Sequence, residues 1–146
     1  MTITTTLHTL TILLCATSVC LGQPAEKTLV KSFNLQGSSA IALDVHGDVN
    51  VQPWTNEVLR VQMTVTLPTG TAAMLKSLVE SGRYNLKSSL KDNVLQITLP
   101  NMEREVLFKG KMLEETLSFI VYAPENTTVQ LGEGATTDKK GVVNTF

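Results

Sequence analysis

Cysteine is nearly absent from this chain of 146 residues, and the only two, Cys15 and Cys20, both fall within the first 22 positions. A chain that begins after that leader has no thiol, which excludes a disulfide framework, a thiolate nucleophile and a Cys-ligated metal centre. Its core must then stand without staples. Aromatic residues are also scarce, 5% of the chain with one Trp and two Tyr, so a base-stacking platform would have to be made from very few side chains. Charge of neither sign dominates, with 12 Lys plus Arg against 13 Asp plus Glu. No block of like charge exists to follow a phosphate backbone or an anionic membrane surface, and no nucleic-acid partner is expected.

Long apolar runs are missing as well. The longest, Leu10 to Leu21, is interrupted by threonines and a serine, and a membrane-spanning helix needs roughly 20 apolar residues. Residues 1–22 contain no Asp, Glu, Lys or Arg and carry small residues near Gly22, so they read as a secretory signal peptide cleaved before Gln23. One element of such a leader, a cationic start, is supplied only by the amino terminus and His8. A lipoprotein anchor through Cys20 fits less well, because Thr17-Ser18-Val19 lacks the usual pattern before the cysteine. The expectation is a single β-rich domain over 23–146, exported to the periplasm or cell surface, with no stable transmembrane span in the mature chain. At 42% hydrophobic and 17% charged residues, the composition can supply one core.

Within that domain the most informative stretch is Ile41 to Trp54. Ile41, Leu43 and Val45 precede Gly47, and Val49 and Val51 follow it, all at odd positions, which is the period-2 signature of chain buried on one face. Facing residues of a hairpin share a face and should share polarity. A two-residue loop at His46-Gly47 would oppose Leu43 to Asn50 and Val49 to Asp44, setting apolar against polar. A three-residue loop, His46-Gly47-Asp48, opposes Val45 to Val49 and Leu43 to Val51, and so does a chain that bends at Gly47 as a corner. Both remain open, and both give Gly47 a backbone reason to be there.

Strand signals recur along the chain: Leu29 to Phe33, then Leu59, Val61, Met63, Val65 and Leu67 alternating with polar partners. Thr71 to Ser81 is the one helical interval, with Met74, Leu75, Leu78 and Val79 on one face, a Thr at its entrance and Gly82 past its end. An Asp92-Asn93 turn opposes Leu90 to Leu95 and Leu86 to Leu99, since both turn residues tolerate positive φ. A further pair of strands is expected over Arg104–Lys109 and Met112–Ala123, the second central and covered on both sides. Pro124-Glu125-Asn126 reads as a turn, Val129 and Leu131 as a short strand, Gly132 to Gly141 as a loop-like tail, and 142–146 as an edge strand or a frayed end.

Candidate chemistry is thin. Asp44, His46 and Asp48 sit two apart and would share a face of a straight strand as metal ligands, but a bend at Gly47 separates them, so no metal is expected. Glu103, Glu105, Glu114 and Glu115 could in principle act as a carboxylate pair; interleaved with Arg104, Lys109 and Lys111, they read as solvated cross-strand charges. His46 is the only His after the leader, and no Gly-x-Ser-x-Gly elbow or Ser-x-x-Lys pair exists to activate a serine. Gly132-Glu133-Gly134 lacks the third glycine and following helix of a phosphate loop. No enzyme activity and no cofactor is expected. Trp54, Tyr84 and Tyr122 are the aromatic residues that could stack on a sugar or a partner, with Trp54 and Tyr84 the candidate ligand contacts. Asn126-Thr127-Thr128 is formally a glycosylation sequon in a turn.

Ser32-Phe33 through Val51, the VLRVQMTV strand (Val58 to Val65), the NVLQITLP strand (Asn93 to Pro100) and the IVYAPENTTVQL segment (Ile120 to Leu131) resemble the auto-transporter adhesin-head (GIN-type) family of bacterial envelope proteins. The shared elements are an Asp-Val-x-Val strand after Gly, a Val-x-Val strand, a Leu-x-Ile strand and a Pro-x-Asn-x-x-Val return. The resemblance covers about residues 32–131 and implies a right-handed β-solenoid-like array in a cell-surface or periplasmic protein without enzymatic activity. It carries no functional residues. Two departures qualify it: the family continues through more β-coils than fit here, and the helical interval stands between strands. The fold class expected is therefore mainly β, either a short right-handed β-solenoid-like array or a two-layer antiparallel β structure with one short α-helix at about 71–81. The function expected is an exported structural or adhesion-type envelope module acting through its surface on an unknown envelope protein or glycan. The alternative is a small binding protein for a glycan or envelope ligand that uses exposed aromatics.

Overall fold

The computed structural model describes residues 23–137; the expected signal peptide, both cysteines and the segment 138–146 lie outside the described residues. In chain order the elements are β1 (Ala25–Asn34), β2 (Ala40–Asp44), β3 (Gly47–Trp54), β4 (Val58–Leu67), α1 (Ala72–Glu80), β5 (Lys87–Lys91), β6 (Val94–Thr98), a short 3-10 helix (Pro100–Glu103), β7 (Leu107–Phe108), β8 (Lys111–Met112), β9 (Thr116–Pro124), β10 (Thr128–Leu131) and β11 (Ala135–Thr137). They form a five-stranded sheet in the order β1-β4-β9-β3-β11, a four-stranded sheet in the order β10-β2-β6-β5, and the β7-β8 hairpin. The fold is mainly β with one short helix.

The centre of the molecule is a stack of three rungs. β6 and β9, β2 and β3, and β10 and β11 each contribute one strand to each sheet, and the pairings β6–β2, β2–β10, β9–β3 and β3–β11 are all parallel. A two-layer sheet that is antiparallel throughout is therefore not what forms. Antiparallel pairing is confined to β1–β4, β4–β9, β5–β6 and β7–β8.

The chain leaves one sheet and enters the other at Gly47, so the Ile41 to Trp54 unit is a corner and not a hairpin. Ile41, Leu43, Val45 and Val49 keep one phase through it and all are at most 1% exposed. Gly47 has φ +128°, and a Cβ there would stand 2.3 Å from the Leu117 carbonyl oxygen of the neighbouring strand. Both the dihedral and the space require glycine.

The alternating run in β4 packs as its period predicts, with Leu59, Val61, Met63, Val65 and Leu67 buried in a cluster that draws on both sheets. Helix α1 starts at the Thr71 cap, whose side chain accepts from the Met74 amide, and ends before Gly82 at φ +77°. It packs against β1 and adds Leu75 to the core. The Asp92-Asn93 turn has positive φ at both residues and sets Leu90 opposite Leu95, although Leu90 is 44% exposed because β5 is an edge strand.

Three expectations need correction. The strand pair expected over Arg104–Lys109 and Met112–Ala123 forms only beside its turn, where β7 and β8 pair for two residues each around Lys109-Gly110, both at positive φ, while β9 pairs with β3 and β4 instead. β9 is central, but its outer face is half-buried at Ile120 and Tyr122 and exposed at Thr116 and Ser118. The tail that begins near Gly132 contains β11, whose Ala135-Thr136-Thr137 lacks the apolar alternation that marks a strand and is ordered by parallel pairing to β3.

Candidate functional site

The outer face of the five-stranded sheet collects the exposed chemistry. Cross-strand register places Arg60 opposite Tyr122 and Tyr122 opposite Gln52, and on one face of a sheet the diagonal neighbour of such a row is within reach of a large ring. That neighbour is Trp54. Its ring lies 5.5 Å from the Tyr122 ring at a tilt of 35°, and its indole N–H donates to the Val58 carbonyl at 2.9 Å. The Arg60 guanidinium sits over the other side of the row, 5.8 Å from the Tyr122 centroid. Arg60 Nε is buried without a hydrogen-bond partner, and Arg60 makes no ion pair among the described residues. The rest of this face mixes the polar Ser32, Asn50, Gln62, Thr64 and Ser118 with the exposed Val30 and the half-buried Val58 and Ile120 along the same registers. Trp54 and Tyr122 are half-buried, so a stacked pair is held in one orientation with part of its surface in water.

Trp54 is thus placed where it can meet a ligand. Tyr84 is not: it is 3% exposed, and its hydroxyl donates to Glu115 Oε1. Tyr122, on the exposed side, takes its place beside Trp54. The sequence signal for this was the even phase of Tyr122 in a strand whose odd positions, Leu117, Phe119 and Val121, are core.

Tyr84 belongs to a buried cluster. Arg83 Nη2 meets Glu115 Oε2 at 2.6 Å with side-chain exposures of 8% and 6%, Arg83 Nε donates to both carboxylate oxygens, and Arg83 Nη1 donates to the Arg104 carbonyl at 2.7 Å. Asn101 Nδ2 donates to the Gly82 carbonyl at 2.8 Å. Glu115 is therefore not a solvated cross-strand charge; Glu103, Glu105 and Glu114 are exposed. The bonds to Glu115 raise the Arg83 pKa, while burial first and the Glu115 bond second raise that of Tyr84. Bidentate geometry with every oxygen engaged is what allows such a pair to persist in a dry site. It clamps residues 99–115 to the loop after α1.

The corner holds a cleft of about 430 Å³ lined by Asp44, His46, Leu99, Met102, Glu103 and Leu117 among others. Asp44 and His46 line it, whereas Asp48 lines a neighbouring depression that His46 also borders and accepts a hydrogen bond from Thr136. The bend at Gly47 separates the trio. Among the described residues no group of three His, Cys, Asp or Glu stands close enough to hold a metal ion. No helix among them is long and apolar enough to cross a membrane. Asn126 of the sequon is exposed in its turn.

No family model matches the chain, and no curated protein does. Among solved structures, the chain is similar to a candidate adhesin from Bacteroides fragilis, at 12% identity and a TM-score of 0.41 over 77% of this chain and 42% of that one. It is similar to a candidate cell-adhesion protein from Clostridium sporogenes at 11% identity and a TM-score of 0.41, over 79% of this chain and 48% of that one. The chain spans less than half the length of either.

Proposed function

We propose that this protein is an exported, non-enzymatic adhesion-type module of the cell envelope that acts through the outer face of its five-stranded sheet. The observation that supports the reading is the half-exposed Trp54–Tyr122 pair on the outer face of this sheet. Tryptophan is usually placed where its large apolar area can be covered, and a flat face on a rigid sheet presents it without an ordering cost at the moment of binding. A second reading, a small glycan-binding protein, is favoured by the same pair, because adjoining rings with amide side chains beside them can take one apolar face of a sugar ring and its hydroxyl groups.

The test is retention of the labelled, secreted protein on intact cells and on separated envelope protein and polysaccharide fractions. Retention that is lost in Ser118→Glu, which places a bulky negative charge in the middle of this face, is the expected result. Retention unchanged in that variant, or absent altogether, would sink the reading. Sequencing of the secreted chain from its amino terminus checks export, with Gln23 as the expected first residue.

A further inference from the structure

We infer that the patch formed by Arg60, Tyr122 and Trp54 binds an acidic saccharide, a glycan whose pyranose rings carry a carboxylate; the inference rests on the reading that this outer face is the working surface. Three properties of the patch select that chemistry.

The first is charge. Of the side chains that β1, β4, β9 and β3 place on this face, Arg60 is the only Lys or Arg. It makes no ion pair among the described residues, and its Nε is buried with no partner. An unmatched guanidinium in a partly desolvated position is costly unless something completes it. The guanidinium lies 5.8 Å from the Tyr122 ring centroid, within cation–π reach, and the guanidinium fork suits the two oxygens of a carboxylate. Asp48 is four residues along β3 from Gln52 and is already bonded to Thr136, and Glu57 and Glu125 stand exposed in the turns that follow β3 and β9; none of the three makes an ion pair with Arg60.

The second is shape. Trp54 and Tyr122 form one tilted apolar surface, pinned by the Trp54 indole bond to Val58. A ring-shaped ligand with an apolar face gains from such a surface, and a freely rotating acidic side chain gains less, because it has no face to lay down. The third is the surroundings. Gln52 flanks Tyr122 in the same row and Gln62 lies one row away beside Arg60, and each amide can both donate to and accept from hydroxyl groups. One cation among neutral amides fits a chain with widely spaced carboxylates. It does not fit a polyphosphate, which demands many cations.

Titration calorimetry on the full secreted chain with oligogalacturonate, with its carboxyl-reduced neutral counterpart, and with polyglutamate tests this. Oligogalacturonate is expected to bind, the neutral sugar at least about tenfold more weakly, and polyglutamate not measurably. Trp54→Ala and Arg60→Met should each weaken oligogalacturonate binding about tenfold or more, in the range found when the anchoring residue of an interface is truncated. Arg60→Met should erase the difference between charged and neutral sugar. Gln62→Glu, which keeps size and adds a repelling charge, guards against a Trp54 variant that fails to fold, and should lose binding with an unchanged melting temperature. Equal binding of polyglutamate and oligogalacturonate, no binding of either sugar, or binding indifferent to Arg60 would overturn the inference. If the sugars fail while envelope retention is still lost in Ser118→Glu, the face is right and its ligand class is wrong. If retention fails too, the adhesion reading falls with it.

Discussion

Two corners of this molecule lie one on the other and are built differently. The β2–β3 corner and the β10–β11 corner stay in register on both sides, Thr128 beside Ala40 and Ala135 beside Gly47, with a constant separation of 88 residues. Backbone bonds cross the bend itself, from Gly132 N to the Leu43 carbonyl and from Gly47 N to the Gly134 carbonyl. The inner corner is covered by a rung on each side, and its Ile41, Leu43, Val45 and Val49 are core. The outer corner has a neighbour on one side among the described residues, and its Val129, Leu131 and Ala135 are only partly buried. One backbone path is therefore held by two different means, side-chain burial within and backbone pairing at the edge. The β6–β9 rung supplies a third solution, replacing the tight corner by residues 99–115 and fastening them through Arg83 and Glu115.

The sharpest way to break the comparison is to add one methyl group at each corner. At Gly47 a Cβ would collide with the Leu117 backbone at φ +128°, and backbone cannot swing aside. Gly47→Ala is expected to cost about 4 kcal/mol or to prevent folding, since strain at such a dihedral alone costs about 1–3 kcal/mol. At Gly134 the three heavy atoms nearest to such a Cβ all belong to the His46 ring, with Cδ2 at 2.4 Å. That ring can rotate, so Gly134→Ala should cost about 1 kcal/mol, and removing the ring in Gly134→Ala/His46→Ala should relieve it. Urea denaturation of the three variants measures both; equal costs at the two glycines would show that the corners are not held differently.

At the third corner, Arg83→Met leaves Glu115 buried and uncompensated and is expected to cost about 3–5 kcal/mol. Arg83→Met/Glu115→Leu should be more stable than either single variant, because it is the unpaired charge that costs. Stability that is simply additive would mean the pair is not a unit. A smaller contrast separates the stacked rungs. Leu43→Ala should cost about 3 kcal/mol, whereas the half-buried Leu131 should cost about 1 kcal/mol, and amide exchange should release β10 and β11 by local opening well before β2 and β3. Equal protection across the two rungs would remove the distinction drawn between them.

The same contrast explains what could be read in the sequence. The inner rung writes its burial on alternate residues, so Ile41 to Val51 gave phase, face and the choice of loop or corner; the decision for a corner came from pairing partners, Val94–Thr98 and Thr128–Leu131, that no local pattern names. The outer rung was legible at Val129 and Leu131 and then lapsed, because Ala135-Thr136-Thr137 is a strand by virtue of β3 beside it. Asp92-Asn93 and Gly82 were legible because turn and cap dihedrals are local demands. The Arg83–Glu115 pair was not, since the two residues are 32 apart and Glu115 sits in a run of charges that looks solvated. Trp54 was legible as a candidate contact, and the even phase of Tyr122 set it opposite the core face of its strand; that the two rings meet was not legible, because only the register of β9 against β3 brings them together.

The smallest expected effect isolates Tyr84 within the clamp. Its hydroxyl is buried first and bonded to Glu115 second, and both hold the proton on, so its folded-state pKa lies above the unfolded value. Between those two values the folded chain binds more protons than the unfolded chain, and stability must fall as pH rises. The contribution is complete below the ordinary tyrosine value of about 10 and is lost progressively above it. Tyr84→Phe removes one hydrogen bond to a charged acceptor and should cost about 1–2 kcal/mol at neutral pH. Lysines titrate in the same alkaline range, so the readout is the difference between wild type and variant: their melting temperatures should converge as pH climbs above about 10. A constant gap across that range would mean that the tyrosine proton is not held by the fold, and that Arg83 alone fastens Glu115.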